Sequence, residues 1–257
     1  MKQPMKYKSS GFTLIELITV IIILGVLATA ISSFIKFGTQ VYTETTARDQ
    51  LVSSARFAIE RLNREVRNAL PNSLRLKDVG AAKCLEFTPV LESTIYTDIP
   101  VAPEDASSTI SVIRFDESSD ISNWSAIVYP LTASDVYNNN GKVHGVDHII
   151  DDTVDEWTIV IDNADEIHFA EDSPTQRLYF INGTVEYCVQ GERLTRDGVL
   201  MAQDIHNLDP LDLPIELPFE VLAATLQRNA MVQIHLLFEK NEEKVTFNNE
   251  IQVLNVP

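Results

Sequence analysis

The twenty-four residues from Phe12 to Ile35 carry one charge, Glu16. As a helix they rise about 36 Å, enough to cross a hydrocarbon core of about 30 Å. Lys2, Lys6 and Lys8 precede the run with no acid among them, which by the positive-inside rule holds that end in the cytoplasm. Everything after about residue 37 is then expected outside, in an oxidising compartment. A secretory signal peptide would be shorter and end in a small-x-small cleavage site. A plain signal anchor fits the length but leaves Glu16 unexplained. A carboxylate near the middle of a membrane helix costs about 2.5–3.5 kcal/mol on insertion scales, so it calls for a partner.

The residues around that carboxylate supply one. Gly11-Phe12-Thr13-Leu14-Ile15-Glu16, after a short basic leader and before some twenty apolar residues, resembles the cleavage and methylation signal of type IV pilins and pseudopilins. The resemblance implies that a membrane aspartyl peptidase, the prepilin peptidase, cuts between Gly11 and Phe12 and N-methylates Phe12. Glu16 becomes the fifth residue of the mature chain. It can then neutralise the new terminal amine, its own or a neighbouring subunit's, inside a low-dielectric bundle. An unpaired buried charge is strongly unfavourable and a paired one is tolerated, so Glu16 is expected to set subunit registry.

Helical periodicity continues past the apolar run. Leu51, Ala55, Ala58, Ile59, Leu62, Val66, Ala69 and Leu70 form one stripe at three- and four-residue steps. Arg56/Glu60 and Arg61/Glu65 are oppositely charged i,i+4 pairs placed on the other side. Pro71 disfavours helix at Leu70. The expected division is a leader at 1–11, a membrane or filament-core half helix at 12–36, an amphipathic half at 37–70 and a β-rich periplasmic head at 71–257. Gly25 and Gly38 are the expected weak points of the helix. The fold class is α+β, and the resemblance implies the pilin lollipop, a long helix packed on an antiparallel sheet.

In the head, Arg177–Ile181, Asn182-Gly183 and Thr184–Val189 read as a hairpin, because Asn-Gly between alternating runs is a strong turn signal. Leu178, Phe180, Val185, Tyr187 and Val189 would share its core face, and Cys188 the other. Met231–Phe238, a turn at Asn241–Glu243 and Lys244–Val256 read as closing strands. Further strands are expected at Leu85–Phe87, Ile110–Phe115, Ser125–Tyr129 and Trp157–Ile161. The segment Glu220–Arg228 is undecided between helix and strand, and residues 97–108 and 204–218 read as loops.

Little here points to chemistry. The net charge of −17 makes nucleic acid a poor partner. No nucleophile elbow, metalloprotease helix, P-loop or dinucleotide motif occurs, so no enzyme is expected. His144 and His148 sit in an acidic, turn-rich stretch read as a solvated loop. Asp147, Asp151, Asp152 and Asp155 are weak calcium candidates without the spacing of a calcium-binding loop, and the expectation is no cofactor. If exported, Cys84 and Cys188 are expected to pair, closing a loop of about 100 residues; two separate buried thiols are the alternative. The resemblance implies prepilin peptidase, other minor pilins, the major pilin and the inner-membrane assembly platform as partners. The large head favours low copy number. Two other classes compete with a filament subunit: a signal-anchored ligand-binding module, and a periplasmic hydrolase for which no residues are found.

Overall fold

The computed structural model describes residues 11–115, 121, 123–138, 140–151, 155–162, 166–207, 216–224, 229–241 and 243–253. The chain divides into two compact units, 1–49 and 50–257. Helix α1, Leu14–Arg67, runs through the first into the second and is unbroken at Gly25 and Gly38. Its 54 residues rise about 81 Å. Every residue from 11 to 43 is exposed, a surface that water alone does not accommodate. The last turn tightens, with the amides of Asn68 and Ala69 donating to the carbonyls of Glu65 and Val66. Leu70 then turns away to Thr88, and Pro71 follows.

In the second unit the apolar stripe of α1 is buried as its spacing predicts: Leu51, Ala55, Ala58, Ile59, Leu62 and Val66 are all at most 8% exposed. They share one core with two sheets. The first has the order β1-β2-β9-β10-β11. Its strands are β1 (Arg75–Val79), β2 (Ala82–Phe87), β9 (Val185–Gln190), β10 (Arg193–Arg196) and β11 (Val199–Gln203). The second is β12 (Phe219–Leu222), β13 (Ala230–Lys240) and β14 (Glu243–Val253), in that order. Val232, Ile234, Leu236 and Phe238 alternate into the core, and β13 pairs with β14 antiparallel from Ala230–Val253 to Lys240–Glu243; Glu242, in the expected turn, lies outside the described residues. The undecided stretch after Glu220 begins as strand β12; residues 225–228 lie outside the described residues.

The remaining six strands close into an antiparallel barrel, β3-β4-β7-β6-β5-β8. They are β3 (Val90–Asp98), β4 (Thr109–Ile113), β5 (Ser125–Val128), β6 (Val143–Ile150), β7 (Glu156–Ile161) and β8 (Arg177–Ile181). A six-stranded barrel has room only for side chains, and here Trp157, Phe169, Phe180, Ile110 and Ile159 fill it. All of it lies between β2 and β9, which are neighbours in the five-stranded sheet.

That insertion corrects three expectations. Asn182-Gly183 does join two strands, but they do not form a hairpin: β8 pairs with β3 and β5, and β9 with β2 and β10. Gly183, at φ +71°, instead passes the chain from barrel to sheet. Leu178 and Phe180 therefore face the barrel interior, while Val185, Tyr187 and Val189 face the helix core. Secondly, the stretch holding His144 and His148 is strand β6 rather than a loop. Thirdly, residues 97–98 extend β3. Within the second loop expectation, 208–215 lie outside the described residues.

Of the two expected charge pairs on α1, Arg61–Glu65 forms at 2.9 Å and Arg56–Glu60 does not. Nor is Glu65 a solvent-facing partner. It also accepts from Arg196 Nε at 2.7 Å and from the Tyr187 hydroxyl at 3.0 Å, fastening the helix to β9 and β10. Burial pushes its carboxyl up, but hydrogen bonds from Arg196, Arg61 and Tyr187 prevail and hold it below the ordinary 4.5. A depressed carboxylate contributes stability that is present above the unfolded-state value and lost as pH falls through the folded one. Glu65→Gln should therefore destabilise the folded protein by about 1.5–3 kcal/mol at neutral pH, the range for hydrogen bonds to charged groups. The deficit should shrink as the pH drops below about 4, which urea titrations at stepped pH would read.

Candidate processing and assembly site

The motif lies where α1 begins. Thr13 stands just before the first helical residue, Leu14, in the N-cap position, which places Glu16 at the third residue of the helix. The Glu16 carboxylate reaches back to Thr13. Oε2 accepts from the Thr13 backbone amide at 3.4 Å and from the Thr13 hydroxyl at 3.2 Å. The Thr19 hydroxyl donates to the Glu16 carbonyl at 3.0 Å. This is one half of a capping box, Thr-x-x-Glu, in which the acid satisfies an otherwise orphaned amide and its charge suits the positive end of the helix dipole. Capping thus adds to the registry expected of Glu16, and the Thr13-x-x-Glu16 spacing that signals it is legible in the chain.

Phe12 is 79% exposed. A Cβ built on Gly11 would meet no atom within 4 Å, so nothing in the chain's own packing demands glycine there. Lys2, Lys6 and Lys8 lie outside the described residues. Cleavage between Gly11 and Phe12, where the resemblance expects it, would turn the neutral Phe12 amide into a cation four residues from Glu16, whose carboxylate reaches towards the start of the helix. The arrangement can present an amine and an anion at the end of a lipid-compatible rod.

Elsewhere, Cys84 and Cys188 are bonded, with Cα atoms 4.1 Å apart, as directly opposed residues of β2 and β9. Among the described residues, one group of three metal-capable side chains lies within 4.8 Å, and it is Cys84, Cys188 and Glu186. Its sulfurs are already joined to each other. Asp147, Asp151 and Asp155 are not brought together; Asp152 lies outside the described residues. Asp147 sits 3.0 Å from His148, and Asp151 accepts from the Trp157 indole at 2.9 Å. His144 packs edge-on against Phe169, and burial holds its imidazole below the usual 6.5 despite backbone hydrogen bonds at Gly141 and His168.

Residues 6–32 match the family model described as the prokaryotic N-terminal methylation motif. No curated protein and no solved structure matches the chain. The motif is the processing signal of type IV pilin-like proteins, and it implies cleavage by a prepilin peptidase and assembly with other pilins. α1 is long and apolar enough to cross a membrane, and none of its most apolar stretch is buried within the protein.

Proposed function

We propose that this chain is a minor pilin of a type IV pilus of the MSHA kind, acting in assembly, initiation or at the tip. The observation that carries this reading is the methylation motif, set on a helix whose first half is wholly exposed and whose second half is built into a β-rich head. Within the class, Phe37-Gly38, Tyr42–Ala47, Ala55–Ser73 and the closing Glu250–Pro257 resemble the MSHA biogenesis protein MshO. A head of this size, enlarged by a barrel, is hard to repeat throughout a tight lattice, which favours few copies. It also favours the second reading, a J-type minor pseudopilin of a type II secretion system, similarly large and β-rich. A signal-anchored ligand-binding module would use the same helix without processing.

Mass spectrometry of the native protein tests this first. The expected amino-terminal peptide begins at Phe12 and carries a methyl group; one beginning at Met1 would eliminate a filament subunit. Finding the mature chain in sheared pilus fractions, with secretion intact in its absence, distinguishes the pilus from the secretion system.

A further inference from the structure

Lys142, which immediately precedes β6, is the one lysine buried among the described residues, at 5% exposed. It lies in a stretch where cations are few: residues 90–181, which form the barrel, carry 18 acidic and 3 basic residues. Its ammonium has three acceptors. A Glu171 carboxylate oxygen stands 2.6 Å from Nζ, the Tyr129 carbonyl 2.9 Å and Asp135 Oδ2 3.5 Å. Tyr129 offers that carbonyl from a left-handed backbone, φ +50°, and its ring centre is 5.3 Å from Nζ. The Ala170 amide donates to the Gly141 carbonyl at 3.0 Å, which brings Glu171 alongside.

Asp135 is 8% exposed and belongs to a short helix, α2 (Ala133–Tyr137), in the connection from β5 to β6. Its two oxygens have different donors. Oδ2 accepts from the backbone amides of Leu131 and Thr132, each at 3.0 Å, and Oδ1 from Asn140 Nδ2 at 3.3 Å. Burial pushes the carboxyl up, but hydrogen bonds from Asn140, Thr132 and Leu131 and the Lys142 charge hold it below the ordinary 3.8. The pair therefore starts as two ions withdrawn from water. That is costly, and neutral groups of similar size in their place are often no less stable.

We propose that Lys142 Nζ and Asp135 Cγ condense to an isopeptide bond, with Glu171 as the proton carrier. Nζ gives up a proton to Glu171, and its freed lone pair forms the N–C bond at Cγ. Negative charge gathers on Oδ2, where the Leu131 and Thr132 amides donate, an arrangement that stabilises a tetrahedral oxyanion. Oδ1 leaves as water with the two protons that the nitrogen loses, relayed by Glu171. One ammonium and one carboxylate thus become one neutral amide and one water, and no oxidant or other reactant is needed. Confinement of both groups in one site raises their effective concentration far above that of free amine and acid. Glu171 is half exposed, so its own charge stays solvated throughout. The bond would clamp the β5–β6 connection across the turn-rich run Asn138–Gly141.

The intact mass of the full-length folded protein tests this. With the Cys84–Cys188 bond and any amino-terminal processing accounted for, the chain should be one water lighter than its sequence requires. Chymotrypsin cuts after Tyr137, between the two residues, yet the peptides holding Asp135 and Lys142 should stay joined through those side chains. K142R keeps the charge but has no amine that can condense, so its peptides should separate at full mass. E171Q should fold, as read by the fluorescence of Trp124 and Trp157 in the barrel core, and remain unlinked. A wild-type chain still at full mass after prolonged incubation of the folded protein overturns the proposal and leaves an ion pair only. A water lost elsewhere, or a link from Lys142 to Glu171, also overturns it. So does E171Q that links as completely as the wild type, because Glu171 would then carry no proton. None of these outcomes depends on processing or on filaments, so an unlinked chain would sink this inference and leave the proposed function standing.

Discussion

Glu16→Ala should be cut and retained in the membrane, yet be absent from filaments. Removing the carboxylate takes a charge out of the membrane-spanning stretch, so anchoring can only improve. What is lost is the anion opposite a cationic terminus. Leaving one member of a buried pair alone costs about 3–5 kcal/mol, more than a hundredfold in incorporation. The structure adds a control, because Glu16 also caps α1 through Thr13. Glu16→Gln keeps a hydrogen-bond acceptor for Thr13 without the charge. If pairing with the amine governs assembly, Glu16→Gln should fail as completely as Glu16→Ala. Immunoblots of sheared pili against membrane fractions would read this, and a glutamine variant that assembles normally would reassign Glu16 to capping.

Replacing both Cys84 and Cys188 by serine should lower the stability of the head by about 4–5 kcal/mol, the chain-entropy estimate for a loop of this length. The separation is 104 residues, and the closed loop contains the whole barrel. For a domain whose total stability is on the order of 5–15 kcal/mol this is a large fraction. The loss arises in the unfolded chain, since β2 and β9 still pair through their backbone ladder. Both tryptophans, Trp124 and Trp157, are buried in the barrel core, while helical circular dichroism follows α1. Denaturant titrations should therefore show both signals moving to lower midpoints. A midpoint unchanged by the double substitution would mean that the thiols are not joined in the native protein.

The parts of the fold that were legible beforehand have local causes. The inward stripe of α1 is set by the 3.6-residue repeat, and its end by Pro71. β13 and β14 were legible because one face is apolar, the other is polar, and a short turn joins them. The Asn-Gly turn misled because it reports only that the chain bends there. β8 is buried on both faces, with Leu178 and Phe180 in the barrel and Tyr179 and Ile181 against Leu70 and Ile127. A strand with no polar face carries no alternation that says which neighbour it pairs with. β6, rich in His and Asp, reads as a loop until β5 and β7 are placed beside it. Glu65 looked like half of a surface pair because its other donors, Tyr187 and Arg196, come from more than a hundred residues along the chain.

By itself the sequence determined the apolar rod, the processing motif and the residues of α1 that must face a core, because each depends on neighbours within a turn or two of helix. Only the tertiary structure decided that the head is a helix-bearing pair of sheets with a closed acidic barrel inserted between β2 and β9. It likewise decided that Cys84 faces Cys188 where the barrel enters and leaves. Those outcomes depend on strand pairings across the chain, whose free energy comes from shared burial and not from any local pattern of residues.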